Sequence, residues 1–128
     1  MIKGLEHVGI FAKDSKALTK WYVDMLGCTV VTGNDKKESY FVAFPDKSML
    51  EICKATEDMP SLPECADAGL RHLAIAVDDF DAVVAKLKDS DTEILVDEVT
   101  SATGVKTIFF RDIAGNILHL IYRPEPLI

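Results

Sequence analysis

Four residues have types and placements that suit chemistry: His7, Glu51, His72 and His119. Each lies at or near the centre of a short apolar segment with strand character. The segments are Leu-Glu-His-Val-Gly-Ile, Met-Leu-Glu-Ile-Cys, Leu-Arg-His-Leu-Ala-Ile and Ile-Leu-His-Leu-Ile. All 3 histidines of the chain are in this set. Burying an imidazole or a carboxylate without a partner is costly, so four such placements call for a common cause. Taken singly, a His in a strand is ordinarily a satisfied core residue and a Glu ordinarily faces solvent. Their recurrence at matching places points instead to a shared divalent metal. Imidazole and carboxylate donors suit zinc, nickel, cobalt, manganese or iron. Three nitrogens and one carboxylate would leave two positions of an octahedron open, as catalysis on a bound substrate requires. His119 can also act as a base beside the metal rather than on it.

The elements that must position these residues are written twice along the chain. Residues 5–12, Leu-Glu-His-Val-Gly-Ile-Phe-Ala, match residues 70–77, Leu-Arg-His-Leu-Ala-Ile-Ala-Val, at an offset of 65. A polar break and an amphipathic helix follow each block. The first helix begins after the capping types Asp14 and Ser15 and carries Ala17, Leu18, Trp21, Tyr22, Met25 and Leu26 on one stripe. Gly27 stops it. The second begins after Asp78 and Asp79, carries Phe80, Val83, Val84 and Leu87, and ends near Lys86 and Lys88, which suit the helix dipole. Three strand-like segments follow each helix, at about 28–32, 38–45 and 48–54 and at about 93–100, 105–111 and 117–122. The last two segments are joined through Gly115-Asn116 as a hairpin. Glu51 and His119 correspond at an offset of 68.

This order predicts an α+β fold of tandem βαβββ modules forming a cupped mixed sheet with the helices on its outer face. The chain reads as a single domain over 1–128. Module 1 covers about 1–56, a Pro-containing linker about 57–68, and module 2 about 69–128. Side chains alternate along a strand. One face therefore carries Val8, Ile10, Leu50, Ile52, Leu73, Ile75, Leu118 and Leu120, ready to pack beneath the helices. The other carries the four candidate donors, with the small residues Gly9, Cys53 and Ala74 beside them. Room next to polar groups is what a ligand-holding concave sheet needs.

Bulk composition excludes some functions. With 14 Lys and Arg against 21 Asp and Glu, the net charge is −7, and nothing neutralises nucleic-acid phosphates in bulk. No apolar run approaches the ~20 residues of a membrane span, and the N-terminus lacks the apolar core of a signal peptide. Three cysteines, Cys28, Cys53 and Cys65, form no disulfide or zinc-ribbon pattern and suit a reducing cytoplasm. Lys106 and Arg111 are readable as contacts for an anionic substrate group, though a solvated strand face is the simpler account. Tyr40, Phe44, Phe109 and Phe110 are candidates for pocket walls that parity alone does not assign.

The two modules, together with Trp-Tyr-Val-Asp-Met-Leu-Gly in the first helix and Phe-Arg-Asp-Ile-Ala-Gly-Asn-Ile-Leu-His-Leu at the end, resemble the vicinal oxygen chelate superfamily. That group includes glyoxalase I, methylmalonyl-CoA epimerase, extradiol dioxygenases, and the fosfomycin and bleomycin resistance proteins. The resemblance covers essentially the whole chain. It implies metal ligands at His7, Glu51, His72 and His119, the last standing where glyoxalase I and the epimerase usually carry Glu. It also implies a homodimer, with each site built from one chain or from two. The expected activity is that of a glyoxalase I-like lyase or isomerase acting on a small substrate that chelates the metal through vicinal oxygens. Glu51 or His119 would move the proton. The alternatives are a ferrous extradiol-type dioxygenase, an acyl-CoA epimerase, and a non-catalytic protein that binds a drug or metabolite.

Overall fold

The computed structural model describes all residues from Met1 to Ile128. The chain divides into two compact units, Met1–Pro60 and Ser61–Ile128, and the boundary falls inside the expected linker. Each unit is one βαβββ module, so the α+β architecture read from the repeat is the one observed.

The first unit contains β1 (His7–Ala12), α1 (Ser15–Leu26), β2 (Thr29–Asn34), β3 (Ser39–Ala43) and β4 (Met49–Lys54). Its four-stranded sheet has the order β1-β4-β3-β2. β1 runs parallel to β4, and the other pairs are antiparallel. The helix begins where the sequence supplies a cap: the Asp14 carboxylate accepts the Ala17 amide at 3.0 Å. It ends at Gly27, whose φ of 70° is left-handed, a conformation that glycine adopts at little cost. Leu18 and Tyr22 are fully buried among Val42, Leu50 and Ile52. Other members of the expected stripe, Trp21 and Met25 among them, are half-buried.

The second unit repeats the plan with β5 (His72–Ala76), α2 (Phe80–Lys88), β6 (Ile94–Thr100), β7 (Lys106–Arg111) and β8 (Ile117–Tyr122). The sheet order is β5-β8-β7-β6, again with the first and last strands parallel. Asp79 caps α2 by accepting the Ala82 amide at 3.1 Å. Phe80, Val84 and Leu87 form its buried side, and Ile108, Phe110, Leu118 and Leu120 form the core of the sheet. The aliphatic face expected on the four key strands is thus buried at Ile10, Leu50, Ile52, Leu118 and Leu120, and half-buried at Val8, Leu73 and Ile75.

The β7–β8 hairpin is built by Asp112 rather than by Gly115-Asn116 alone. Its carboxylate accepts the backbone amides of Ala114 and Asn116 and the Asn116 side-chain amide, at 2.9, 3.0 and 2.9 Å. Gly115 sits at φ 95°, and a Cβ there would lie 2.4 Å from Leu62 Cδ2. Arg111 departs from both sequence readings: it faces neither solvent nor an anionic ligand. It is 6% exposed. Its guanidinium donates to the carbonyls of Pro63 at 2.8 Å and Gly115 at 3.0 Å, and its Nε lies 3.3 Å from a Glu93 carboxylate oxygen. Residues 62–64 of the linker are therefore fastened to the hairpin rather than passing freely between modules.

Candidate metal centre

The strand register explains how each candidate pair meets. Glu51 lies directly beside Gly9 on β1, not beside His7, which is opposite Met49. His119 likewise lies beside Ala74 on β5, while His72 is opposite Ile117. In both units the first-strand His reaches its partner diagonally, across a residue with little or no side chain. The space beside Gly9 is open: a Cβ built there meets no atom within 4 Å. Gly9 and Ala74, read from the sequence as room beside the candidate donors, stand directly beside Glu51 and His119 in the register.

In the first unit His7 Nε2 stands 3.9 Å from Glu51 Oε1, and both side chains are about one-third exposed. His7 Nδ1 lies 2.8 Å from a Glu6 carboxylate oxygen. An ionised carboxylate can only accept, so Nδ1 donates to Glu6, and Nε2 is the ring nitrogen turned towards Glu51. Cys53 continues the same face. Burial raises the pKa of its thiol, and a hydrogen bond to Glu51 and the charge of that carboxylate raise it further, so it is held protonated.

In the second unit the His72 and His119 rings meet edge to face with centroids 4.5 Å apart. His119 is 7% exposed, and its Nδ1 is buried with no hydrogen-bond partner. Burial, and then the proximity of His72 and Arg123, push its pKa down to about 4. It is a neutral imidazole near pH 7, the form in which His ligates metals. The expectation of small neighbours holds less well here than in the first unit, because Ile117, two residues along the same strand face, is large and buried.

Both units hold a third residue beside the pair: Phe41, which the sequence reading did not single out, and Phe109, which it offered only as a candidate pocket wall. Phe41 pairs with Glu51 across β3–β4, and Phe109 pairs with His119 across β7–β8. The His7 and Phe41 rings meet edge to face at 5.1 Å, and those of His72 and Phe109 at 5.5 Å. Phe109 also stacks flat on His119, at 4.5 Å and 9°. The signal was present in the sequence: Phe41 and Phe109 are 68 positions apart, the same offset as Glu51 and His119.

The donors fit a divalent ion in kind. Two bonds of ~2.1 Å at octahedral or tetrahedral angles set donors about 3.0–3.4 Å apart, so the His7–Glu51 pair at 3.9 Å would draw slightly closer on holding an ion. The unpartnered buried nitrogen of His119 is a polar atom in need of a partner. The structure brings the four candidates together as two pairs, one in each unit, and no three His, Cys, Asp or Glu side chains form a metal-holding group.

Comparison with known proteins places the fold in a family. The model of the glyoxalase/bleomycin resistance protein/dioxygenase superfamily matches residues 4–120. The chain belongs to this superfamily. Among its relatives, the protein YaeR of Escherichia coli (strain K12) is 31% identical over 125 residues, which cover 93% of this chain and 95% of YaeR. The crystal structure of the glyoxalase family protein from Enterococcus faecalis is 31% identical and superposes with a TM-score of 0.75, covering 94% of this chain and 98% of that one. A glyoxalase/dioxygenase from Nostoc punctiforme reaches a TM-score of 0.82 at 20% identity, over 96% of this chain and 92% of that one, a likeness of fold. The superfamily contains many enzymes, and no helix of this member is long and apolar enough to cross a membrane.

Proposed function

We propose that this protein is a metal-dependent enzyme of the glyoxalase I type, a lyase or isomerase acting on a small substrate with two vicinal oxygens. The observation that carries the reading is the duplicated pair: His7 with Glu51 at 3.9 Å and His72 with His119 at 4.5 Å between ring centroids. Both pairs are formed across the parallel first and last strands of a module. His7, Glu51, His72 and His119 would together hold one zinc, nickel, cobalt, manganese or ferrous ion. The two modules would act as a single domain, with the pairs supplied by one chain or by two copies in a homodimer. When bound, the ion would supply Lewis-acid polarisation of the substrate oxygens.

The chain's own residues divide the remaining work. His119, buried under Phe109, is suited to holding rather than to exchanging protons with solvent. An imidazole with a pKa near 4 gains little by accepting a proton at neutral pH, whereas a base is most effective when its pKa lies near the working pH. Glu51, one-third exposed and beside His7, would take a proton from a carbon next to a carbonyl and return it to the neighbouring carbon. Phe41 and Phe109 pack edge to face against the first-strand imidazoles.

The test is to reconstitute metal-free protein separately with zinc, nickel, cobalt, manganese and ferrous ions and to follow thioester formation from hemithioacetals. Turnover with at least one metal, reduced at least about 100-fold in Glu51→Gln, is the expected result. Absence of turnover with every metal would remove the lyase assignment. A metal content that stays near zero after reconstitution would favour a binding protein instead.

A further inference from the structure

We propose that Phe41 and Phe109 are positioning residues that set the orientation of the candidate metal-ligating side chains, and that Phe109 carries the larger share. The proposal rests on the metal-centre reading above, but its geometry stands separately. In each unit three adjacent strands present the same row: a small residue, a candidate donor, and a phenylalanine. The rows are Gly9, Glu51 and Phe41, and Ala74, His119 and Phe109. In each unit the phenylalanine ring also meets the first-strand imidazole edge to face, at interplanar angles of 82° and 90°. Aromatic rings prefer this arrangement at such separations. Its occurrence in both compact units makes an incidental contact a poor account.

The physical reason for such a row lies in what the histidines lack. A ligating His is ordinarily oriented by a hydrogen bond from its second nitrogen. His7 has one, to Glu6. His119 Nδ1 has none, and no side-chain hydrogen bond orients His72. Its ring is instead fixed by packing between two faces, with Phe109 flat against it and His72 at right angles. Phe109 touches both imidazoles of its unit, while Phe41 touches only the His7 ring. Replacing Phe109 should therefore release both rings, and replacing Phe41 should release one that Glu6 still holds.

The experiment compares wild type with Phe41→Leu, Phe109→Leu and Phe109→Tyr, using cobalt(II) as the probe. Affinity and the visible absorption spectrum are read by titration. The ring-proton shifts of His119 and His72 are read by NMR on metal-free protein, and melting curves check the fold. Phe109→Leu is expected to weaken cobalt binding about 10- to 100-fold, the range typical of losing a ligand-orienting partner. It should also move the His119 ring protons away from the upfield position that a stacked ring imposes. Phe41→Leu should weaken binding less and leave His119 unmoved, and Phe109→Tyr should restore both readouts. If Phe109→Leu does not fold, Phe109→Met, which keeps apolar volume without a ring, takes its place. Wild-type affinity in the Leu or Met variant, or unmoved His119 ring protons, would overturn the proposal. Failure of the wild type to bind cobalt would overturn the metal reading instead, and the metal-free NMR comparison would still decide the role of Phe109.

Discussion

His119 is the residue on which the chemistry turns. The sequence placed it in an apolar strand at the position equivalent to Glu51, and left open whether it binds or moves a proton. Its burial against Phe109 and the absence of a partner for Nδ1 favour holding. Its titration has a consequence for stability. Folding lowers the pKa from the ordinary 6.5 to about 4, so between those values the unfolded chain binds the extra proton. Stability of the metal-free protein should therefore fall as pH drops from about 6.5 towards about 4, and the contribution should then level off. NMR titration of the metal-free protein is expected to place the His119 midpoint near pH 4. Urea unfolding at pH 7 and pH 5 should show a smaller loss for His119→Leu than for wild type. Equal losses would mean that the imidazole titrates normally.

At the scale of elements, the β7–β8 hairpin and the start of the second unit act as one piece. Arg111 ties them by donating to Pro63 and Gly115, with Glu93 close to its Nε. Substituting Arg111→Met would leave two carbonyls without their donor and a carboxylate without its cation. It is expected to cost about 2–4 kcal/mol, since each of the two orphaned carbonyls is worth ~1–3 kcal/mol and the mostly exposed Glu93 carboxylate adds little. Urea denaturation checks this. A change below about 1 kcal/mol would mean that water replaces the guanidinium. Periodicity located the hairpin, but no sequence rule revealed the clamp. Its partners are a backbone carbonyl 48 positions away and a loop carbonyl within the turn. Backbone acceptors carry no residue-type signature, so a buried Arg that uses them reads from sequence like a solvated one.

Over the whole molecule, the two modules repeat one arrangement with different chemistry, imidazole with carboxylate in one and two imidazoles in the other. If all four donors serve one ion, titration of metal-free protein should saturate at one equivalent per chain. Substituting Glu51 or His72 alone should abolish most of that binding. Two weaker equivalents per chain, each lost with only one pair, would instead show the pairs acting separately. The sequence by itself determined the duplicated α+β plan, the helix caps at Asp14, Asp79 and Gly27 and the strand faces, and it supplied the four candidate donors. Each of these follows from local periodicity and from side chains whose chemistry is explicit. The tertiary structure alone decided that His7 and His72 lean diagonally over Gly9 and Ala74 to reach their partners. It alone placed Phe41 and Phe109 against the imidazoles and took Arg111 into the interior. Those outcomes depend on register and on packing between segments far apart in the chain, and neither is encoded in the spacing of any one segment.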